Sequence, residues 1–278
     1  MTNKILFYCT SHKKIDYLDN FNNLNLIACG TKKFDDKWKF IDLQDNINQN
    51  FLSYGDLTAH YAIWKKFLKG KIDQEIWVGL CQYRRHWVND NFNFKKDYSL
   101  KDLKDFILTE SKPGWKDYES VLCSPFIFKP KLREKILKFN FLKNKVTIKE
   151  QMFESFGKNS EKIYSKILTN LPSEIANQFD EHISKSNILS AHGMYISTPK
   201  ILDKYMTLSF DWYKKCENII DPNENVKLVK KPRFFQYLNE RFSDFWFRNY
   251  TNFTINPICM YQEENDKLAL IGKYFDGK

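Results

Sequence analysis

Along the chain, short continuous apolar runs alternate with stretches of helical apolar spacing, a pattern that predicts an α/β protein. Lys4–Cys9 (KILFYC) reads as a buried strand closing on the polar turn Thr10-Ser11-His12-Lys13. Leu24–Cys29 (LNLIAC) reads as a second strand ahead of Gly30. Lys37–Asp45 runs out into an Asn-rich loop. A helix is predicted from about Tyr54 to Gly70. Ser53 is its expected cap, Asp56 completes an approximate capping box, and Leu57, Tyr61, Trp64 and Leu68 form the buried stripe. Asp56 and His60 share the flank beside that stripe. Ile76–Cys81 is a third apolar strand, and Gln82–Trp87 turns polar and basic where this strand is expected to leave the sheet.

Asp102–Leu108 reads as a short helix and Lys112-Pro113-Gly114 as a turn. Glu119–Lys129 is strand-like but interrupted by Pro125, which predicts an edge or a bend. Helical spacing dominates from Pro130 to about Lys185, with amphipathic segments near 131–142, 147–156, 158–170 and 174–185. No Pro/Gly/Ser-rich linker frames this region. Residues 130–187 are therefore read as a helical insertion or subdomain within a single domain covering 1–278. Ile188–Ser197 returns to strand character with His192 in its middle. A long helix follows from Pro199 to about Ile219, broken by Asp221-Pro222-Asn223. Pro232 opens a last helix, Arg233–Asn249, with Phe234, Leu238, Phe242 and Phe245 on its core face, and Phe253–Tyr261 is a closing strand.

Composition narrows the class. With 278 residues, 42% of them apolar and 17% aromatic, the chain buries a large core and is not disordered. The formal charge of +10 suits nucleic acid, an anionic membrane surface, a nucleotide diphosphate or an acidic glycan, and selects none of them. The densest basic runs, 129–149 and 227–233, are interleaved with apolar residues and read as solvated helix faces. Six cysteines form no C-x-x-C pair, and Cys9, Cys81, Cys123 and Cys259 sit inside strand-like runs as small hydrophobes. A zinc site or disulfide framework is not expected. No signal peptide precedes the first strand, and no apolar run reaches the roughly 18–20 residues of a membrane span. The expectation is a cytoplasmic protein, at most peripheral at the inner face of the membrane.

Glycine-rich nucleotide loops, zinc-protease and nucleophile-elbow motifs are absent, and so is any Asp-x-Asp pair. If the chain handles a nucleotide sugar, the diphosphate charge then falls to Arg84 and Arg85, whose fixed donors can clamp phosphate oxygens. Their plainer reading is a structural ion pair or surface patch. Asp56 is a candidate base or ribose ligand, or only a helix cap. His60 is its neighbour or an ordinary flank residue, and His192 a candidate base or a core histidine. Glu240 and Arg241 lie mid-helix, where a solvated pair is the ordinary reading. Thr10 and His12 stand at the exit of the first strand, where α/β folds place nucleotide contacts. Tyr83 and Trp87 can stack on a base or sugar, or simply pack.

Five stretches together resemble one family: ILFYCTSHK, DNINQNFLSYGDLTAHYAIWKK, IWVGLCQYRRHW, HGMYISTPKILDKYMTLSFDWY and RFFQYLNERFSDFWF. It is a group of bacterial capsule and O-antigen glycosyltransferases, long catalogued as a domain of unknown function, with galactofuranosyltransferases among its members. The chain departs from the family pattern at Gln82, where histidine is usual, at Gly193, where asparagine is usual, and in lacking the Gly-Tyr of the last helix.

The resemblance implies a GT-A-like nucleotide-diphospho-sugar transferase fold, with a mixed central sheet flanked by helices. It also implies inverting, UDP-dependent transfer of galactofuranose or its N-acetylamino form to a capsular or O-antigen glycan. Asp56, Glu240 and His192 are then the candidate catalytic residues. Thr10, His12, Tyr54, His60, Tyr83, Arg84, Arg85 and Arg241 are the candidate nucleotide-sugar contacts. No cofactor is expected, a divalent metal having no Asp-x-Asp to hold it. Expected partners are a UDP-sugar donor and a glycan acceptor, not nucleic acid. Two other readings stand beside this one: a basic, aromatic-rich binder of nucleic acid or an anionic polymer, and a transferase-like fold that only binds glycan.

Overall fold

The computed structural model describes residues 4–70, 76–129, 145–157, 160–219 and 233–270. The predicted segment 131–142, the Asp221-Pro222-Asn223 break and Pro232 lie outside them.

Three parallel strands form the centre: β1 (Ile5–Ser11), flanked by β2 (Leu24–Ala28) and β3 (Trp77–Gln82). On its far side β3 pairs antiparallel with β8 (Tyr195–Ser197), then come β5 (Ser120–Cys123) and β9 (Phe253–Asn256). Beyond Gln82 the chain does not simply leave the sheet. It turns back through a tight hairpin into β4 (Arg85–Trp87), which pairs with β10 (Ile258–Gln262), itself edged by β11 (Lys267–Leu270). The predicted closing strand is thus two strands parted at Pro257, which has no amide hydrogen for the ladder. Pro125 acts as a bend: β5 lies inside the sheet, while β6 (Phe126–Ile127) pairs with β7 (Ile188–Leu189) in a separate ribbon.

Both faces of the central strands are buried, so their apolar runs are nearly continuous. Ile5, Phe7, Cys9, Trp77 and Cys81 pack on one side, and Tyr8, Val78 and Leu80 on the other. That second side is covered by helices. They include α2 (Leu57–Ile63, continued by a wider turn over Trp64–Leu68), α4 (Ile148–Phe156), α5 (Ser160–Leu168) and α6 (Ser173–Lys185). The long helices α7 (Pro199–Cys216) and α8 (Phe234–Tyr250) complete the layer. α3 (Leu103–Phe106) is a single turn that buries Leu103 in a small separate cluster with Val88, Phe92, Cys259 and Leu268.

The helix predicted to start at Ser53 is broken. Ser53 lies inside a first turn, α1 (Phe51–Tyr54), and Gly55 takes φ +55°, so the axis restarts at Leu57. Asp56 precedes α2 without capping it, which frees its carboxylate to point elsewhere. Leu57, Trp64 and Leu68 are buried as the stripe requires, whereas Tyr61 is only half-buried. His192 also departs from expectation. It sits not within a strand but in a turn between β7 and β8, at φ +73°.

Gly79 is register partner to Phe7 across β1 and β3, and a Cβ at Gly79 would overlap the Phe7 ring. Gly79→Ala is expected to cost about 1–3 kcal/mol of stability through overpacking, read by urea denaturation with an unchanged m-value.

A candidate active-site cleft lined by arginines and carboxylates

The carboxyl ends of β1 and β3, the β7–β8 turn and the first turns of α8 enclose a cleft of about 380 Å³. This is where parallel sheets ordinarily open onto ligands. The hairpin after β3 supplies Tyr83, Arg84 and Arg85, and the turn after β1 supplies His12. α8 contributes Gln236, Tyr237, Glu240 and Arg241, with Arg233 just ahead of it in a left-handed conformation (φ +70°). Asp56 closes one side, and Phe126, Phe128 and Leu189 of the small ribbon form an apolar wall. Four guanidinium groups face two carboxylates, an excess of two positive charges.

Asp56 is 7% exposed; its Oδ2 accepts from Gln236 Nε2 (3.3 Å) and its Oδ1 from the Cys29 thiol (3.8 Å). Burial pushes its carboxyl above the ordinary value, against the opposing pull of Arg233 and Arg85. Glu240 is held more firmly. Its Oε1 accepts from the His192 backbone amide (3.1 Å) and its Oε2 from Arg241 Nη1 (2.9 Å). Arg241 also donates to the Tyr237 carbonyl (2.9 Å) and to Gln151 Oε1 (2.6 Å). At 3% exposure it is no solvated surface residue; Glu240 and Arg241 form a buried ion pair instead.

Arg85 donates to Gln82 Oε1, while Gln82 Nε2 donates to the His192 carbonyl (2.9 Å). The His192 turn is thereby fixed at both backbone groups, by Gln82 and Glu240. Burial, then Arg85 and Arg241, keep the His192 imidazole well below its usual pKa, so it is neutral. His12 is lowered by burial and by Arg233, Lys13 and Arg84. It packs edge-on against Tyr83, whose ring carries the Arg84 guanidinium 5.2 Å from its centroid. Nε of Arg84, Arg85 and Arg241, Nε2 of His192 and Oε1 of Gln236 are buried without a hydrogen-bond partner. Each is a buried donor or acceptor left unsatisfied beside the cleft.

The structure thus brings His12, Asp56, Tyr83, Arg84, Arg85, His192, Glu240 and Arg241 to one cleft. Three residues proposed for it lie elsewhere. Thr10 is fully buried with its hydroxyl toward the Cys81 carbonyl. His60 is buried behind Gly193, where a Cβ would lie 3.6 Å from its ring. Tyr54 stacks on Phe235 and donates to Glu217 on the far side of α1. Trp87, singled out for stacking, is a core residue whose indole donates to the Leu80 carbonyl. Arg233, Gln236, Tyr237 and Gln151 line the cleft as well, beyond the residues expected there. The signal for the first three was present: polar positions 233, 236, 237, 240 and 241 recur at helical spacing and form a polar stripe on an otherwise aromatic helix. Among the described residues, no group of three or more His, Cys, Asp or Glu side chains is placed to hold a metal ion. Likewise, no helix among them is long and apolar enough to cross a membrane.

Fold and site together define a mixed α/β protein with an anion-attracting cleft at the ends of its parallel strands. The chain belongs to the family described as Domain of unknown function (DUF4422), whose model matches residues 5–252. Its fold is similar to the apo structure of the bifunctional glycosyltransferase WbbM, with a TM-score of 0.56 and 16% sequence identity. The match covers 99% of this chain and 48% of that one, so the chain spans about half the length of that protein. None of the curated protein sequences matches it.

Burial lowers the His60 imidazole from 6.5 to about 4, so the folded protein keeps it neutral while the unfolded chain takes up the proton. Its contribution is complete above about pH 6.5 and is lost as pH falls toward about 4. The loss is on the order of 3 kcal/mol. His60→Phe is expected to flatten this acid-side decline in urea denaturation between pH 7.5 and 4.5.

Proposed function

We propose that the chain is a glycosyltransferase domain of GT-A type that takes a nucleoside-diphosphate sugar, with UDP as the carrier, and transfers the sugar to a glycan hydroxyl. The observation that carries this reading is the convergence of Arg84, Arg85 and Arg233 with the Asp56 carboxylate in one cleft at the carboxyl ends of β1 and β3. The excess positive charge matches a diphosphate diester. The guanidinium groups that line the cleft supply donors for its oxygens without a metal ion.

The proposed chemistry is a single displacement. The acceptor oxygen forms its bond to the anomeric carbon as the bond to the diphosphate oxygen breaks, with inversion at that carbon. The acceptor proton passes to Asp56, and the negative charge on the leaving UDP is taken up by Arg84 and Arg85. Asp56 suits the base role better than Glu240. Its pKa is raised by burial and, among the described residues, its oxygens accept only from the Gln236 amide (3.3 Å) and the Cys29 thiol (3.8 Å), whereas the Glu240 oxygens hold the His192 turn (3.1 Å) and the Arg241 guanidinium (2.9 Å). Glu240 is then a positioning residue. Neutral His192, with its buried Nε2 unpartnered, is placed to hydrogen-bond a sugar hydroxyl, and the Phe126–Phe128 wall suits the apolar face of a sugar ring. By its resemblance to galactofuranosyltransferases, a UDP-furanose is the donor to try first and a capsular or O-antigen glycan the acceptor.

Calorimetry with UDP, in Mg²⁺ and again in EDTA, tests the reading: binding that survives EDTA is expected. Arg84→Ala and Arg85→Ala should each weaken UDP by roughly tenfold to a hundredfold. Asp56→Asn should leave UDP binding nearly intact and lower kcat by about 10²–10⁴-fold. Absence of UDP binding, with salt-sensitive binding of a single-stranded oligonucleotide instead, would overturn the transferase reading.

A further inference from the structure

The stretch that delivers Asp56 to the cleft also lines a second cavity, of about 410 Å³, that shares no lining residue with it. One wall is aromatic: the half-buried Tyr61 packs edge-on against Trp64 and Phe210, which stack on each other at 5.6 Å and 9°. Around it stand three carboxylates (Asp45, Asp211, Glu217), three lysines (Lys65, Lys69, Lys214) and the side-chain amides of Asn46 and Asn50. Several of these groups are fixed in place. Asp45 accepts from Tyr61 Oη (3.0 Å) and pairs with Lys65 (2.5 Å), and Glu217 accepts from Tyr54 Oη (2.7 Å).

This lining selects a ligand by exclusion. An anion meets three carboxylates, and a cation meets three lysines. An apolar peptide would strip water from all of these charges without replacing its hydrogen bonds. A neutral polyhydroxylated ligand satisfies the whole set, because its hydroxyls both donate to carboxylates and accept from amides and lysines while its C–H face lies on an aromatic ring. We infer that the groove formed by Tyr61, Trp64 and Phe210 with Asp45, Asp211 and Glu217 is a carbohydrate subsite that binds a neutral oligosaccharide segment, separate from the arginine cleft. The inference extends the transferase reading: the segment belongs to the acceptor glycan. Holding it here raises the effective concentration of further acceptor ends at the cleft.

The test is saturation-transfer NMR and calorimetry with neutral tetrasaccharides of galactose, glucose and mannose, alongside UDP titration of the same samples. Two variants are used: Tyr61→Ala, which removes the half-buried ring over which the Lys65 ammonium lies at 5.6 Å, and Asp211→Trp, which fills the groove from an exposed position. At least one tetrasaccharide is expected to bind, and each variant should weaken it by roughly tenfold or more with UDP affinity unchanged. If no tetrasaccharide binds at millimolar concentration, or binding survives Asp211→Trp, the subsite is overturned. Tetrasaccharide binding that depends on Tyr61 in a protein that does not bind UDP would keep the subsite and sink the transferase reading alone.

Discussion

A guanidinium group shielded from water is tolerated only when opposite charge and hydrogen-bond acceptors stand close to it, and the cleft is built on that requirement. Arg241 is buried because Glu240, Gln151 and the Tyr237 carbonyl take its protons. Arg85 keeps its charge against burial through Glu240 and Asp56. At Asp56, Arg233 and Arg85 oppose the upward push that burial gives the carboxyl. These groups come from the start of α2, the hairpin after β3 and the first turns of α8, so moving any one of these elements would leave buried charge uncompensated. The same pairing holds the His192 turn, whose left-handed backbone is secured by Gln82 on one side and Glu240 on the other.

α8 is the element on which this balance rests. Its aromatic residues fill the helical core, yet the same helix carries Gln236, Glu240 and Arg241 to the cleft and a fully buried Asp244 further along. Asp244 accepts from the Ser190 amide, from Arg248 and from His182, and so ties both α6 and the strand ahead of the His192 turn to α8. Core and site are therefore coupled mechanically: the packing that stabilises the fold also sets the register of the polar stripe. The buried carboxylate of Asp56 works against stability, and that cost is consistent with a group kept for its chemistry.

Much of the architecture was legible along the chain because two-sided burial writes itself as continuous apolar runs. β1, β2 and β3 match KILFYC, LNLIAC and IWVGLC within one or two residues, while the run Glu119–Lys129 holds two strands, β5 and β6, on either side of Pro125. α7 and α8 match the helices expected over Pro199–Ile219 and Arg233–Asn249, the second beginning one residue later, at Phe234. The break at Gly55 was not legible, because a capping pattern and a continuing apolar stripe both argued for one helix, and local propensity does not register a single glycine at positive φ. The return of the chain after Gln82 is illegible in the sequence for a related reason. One pair, Gln82 with Arg85, closes that hairpin, and its remaining partners lie more than 170 residues on, in β10.

The sequence by itself determined the strand and helix types and the arginine pair at a strand end. It also marked Asp56, His192 and Glu240 as groups whose chemistry needed an explanation. These are local properties, set by burial period and residue type. Only the tertiary structure decided which of these groups share a cleft. It brought in Arg233, Gln236 and Gln151, and it turned Tyr54, His60 and Thr10 away. Residues at 12, 56, 85, 192 and 240 meet only after the sheet has ordered its strands and α8 has packed across their ends, and nothing local along the chain records a distance between them.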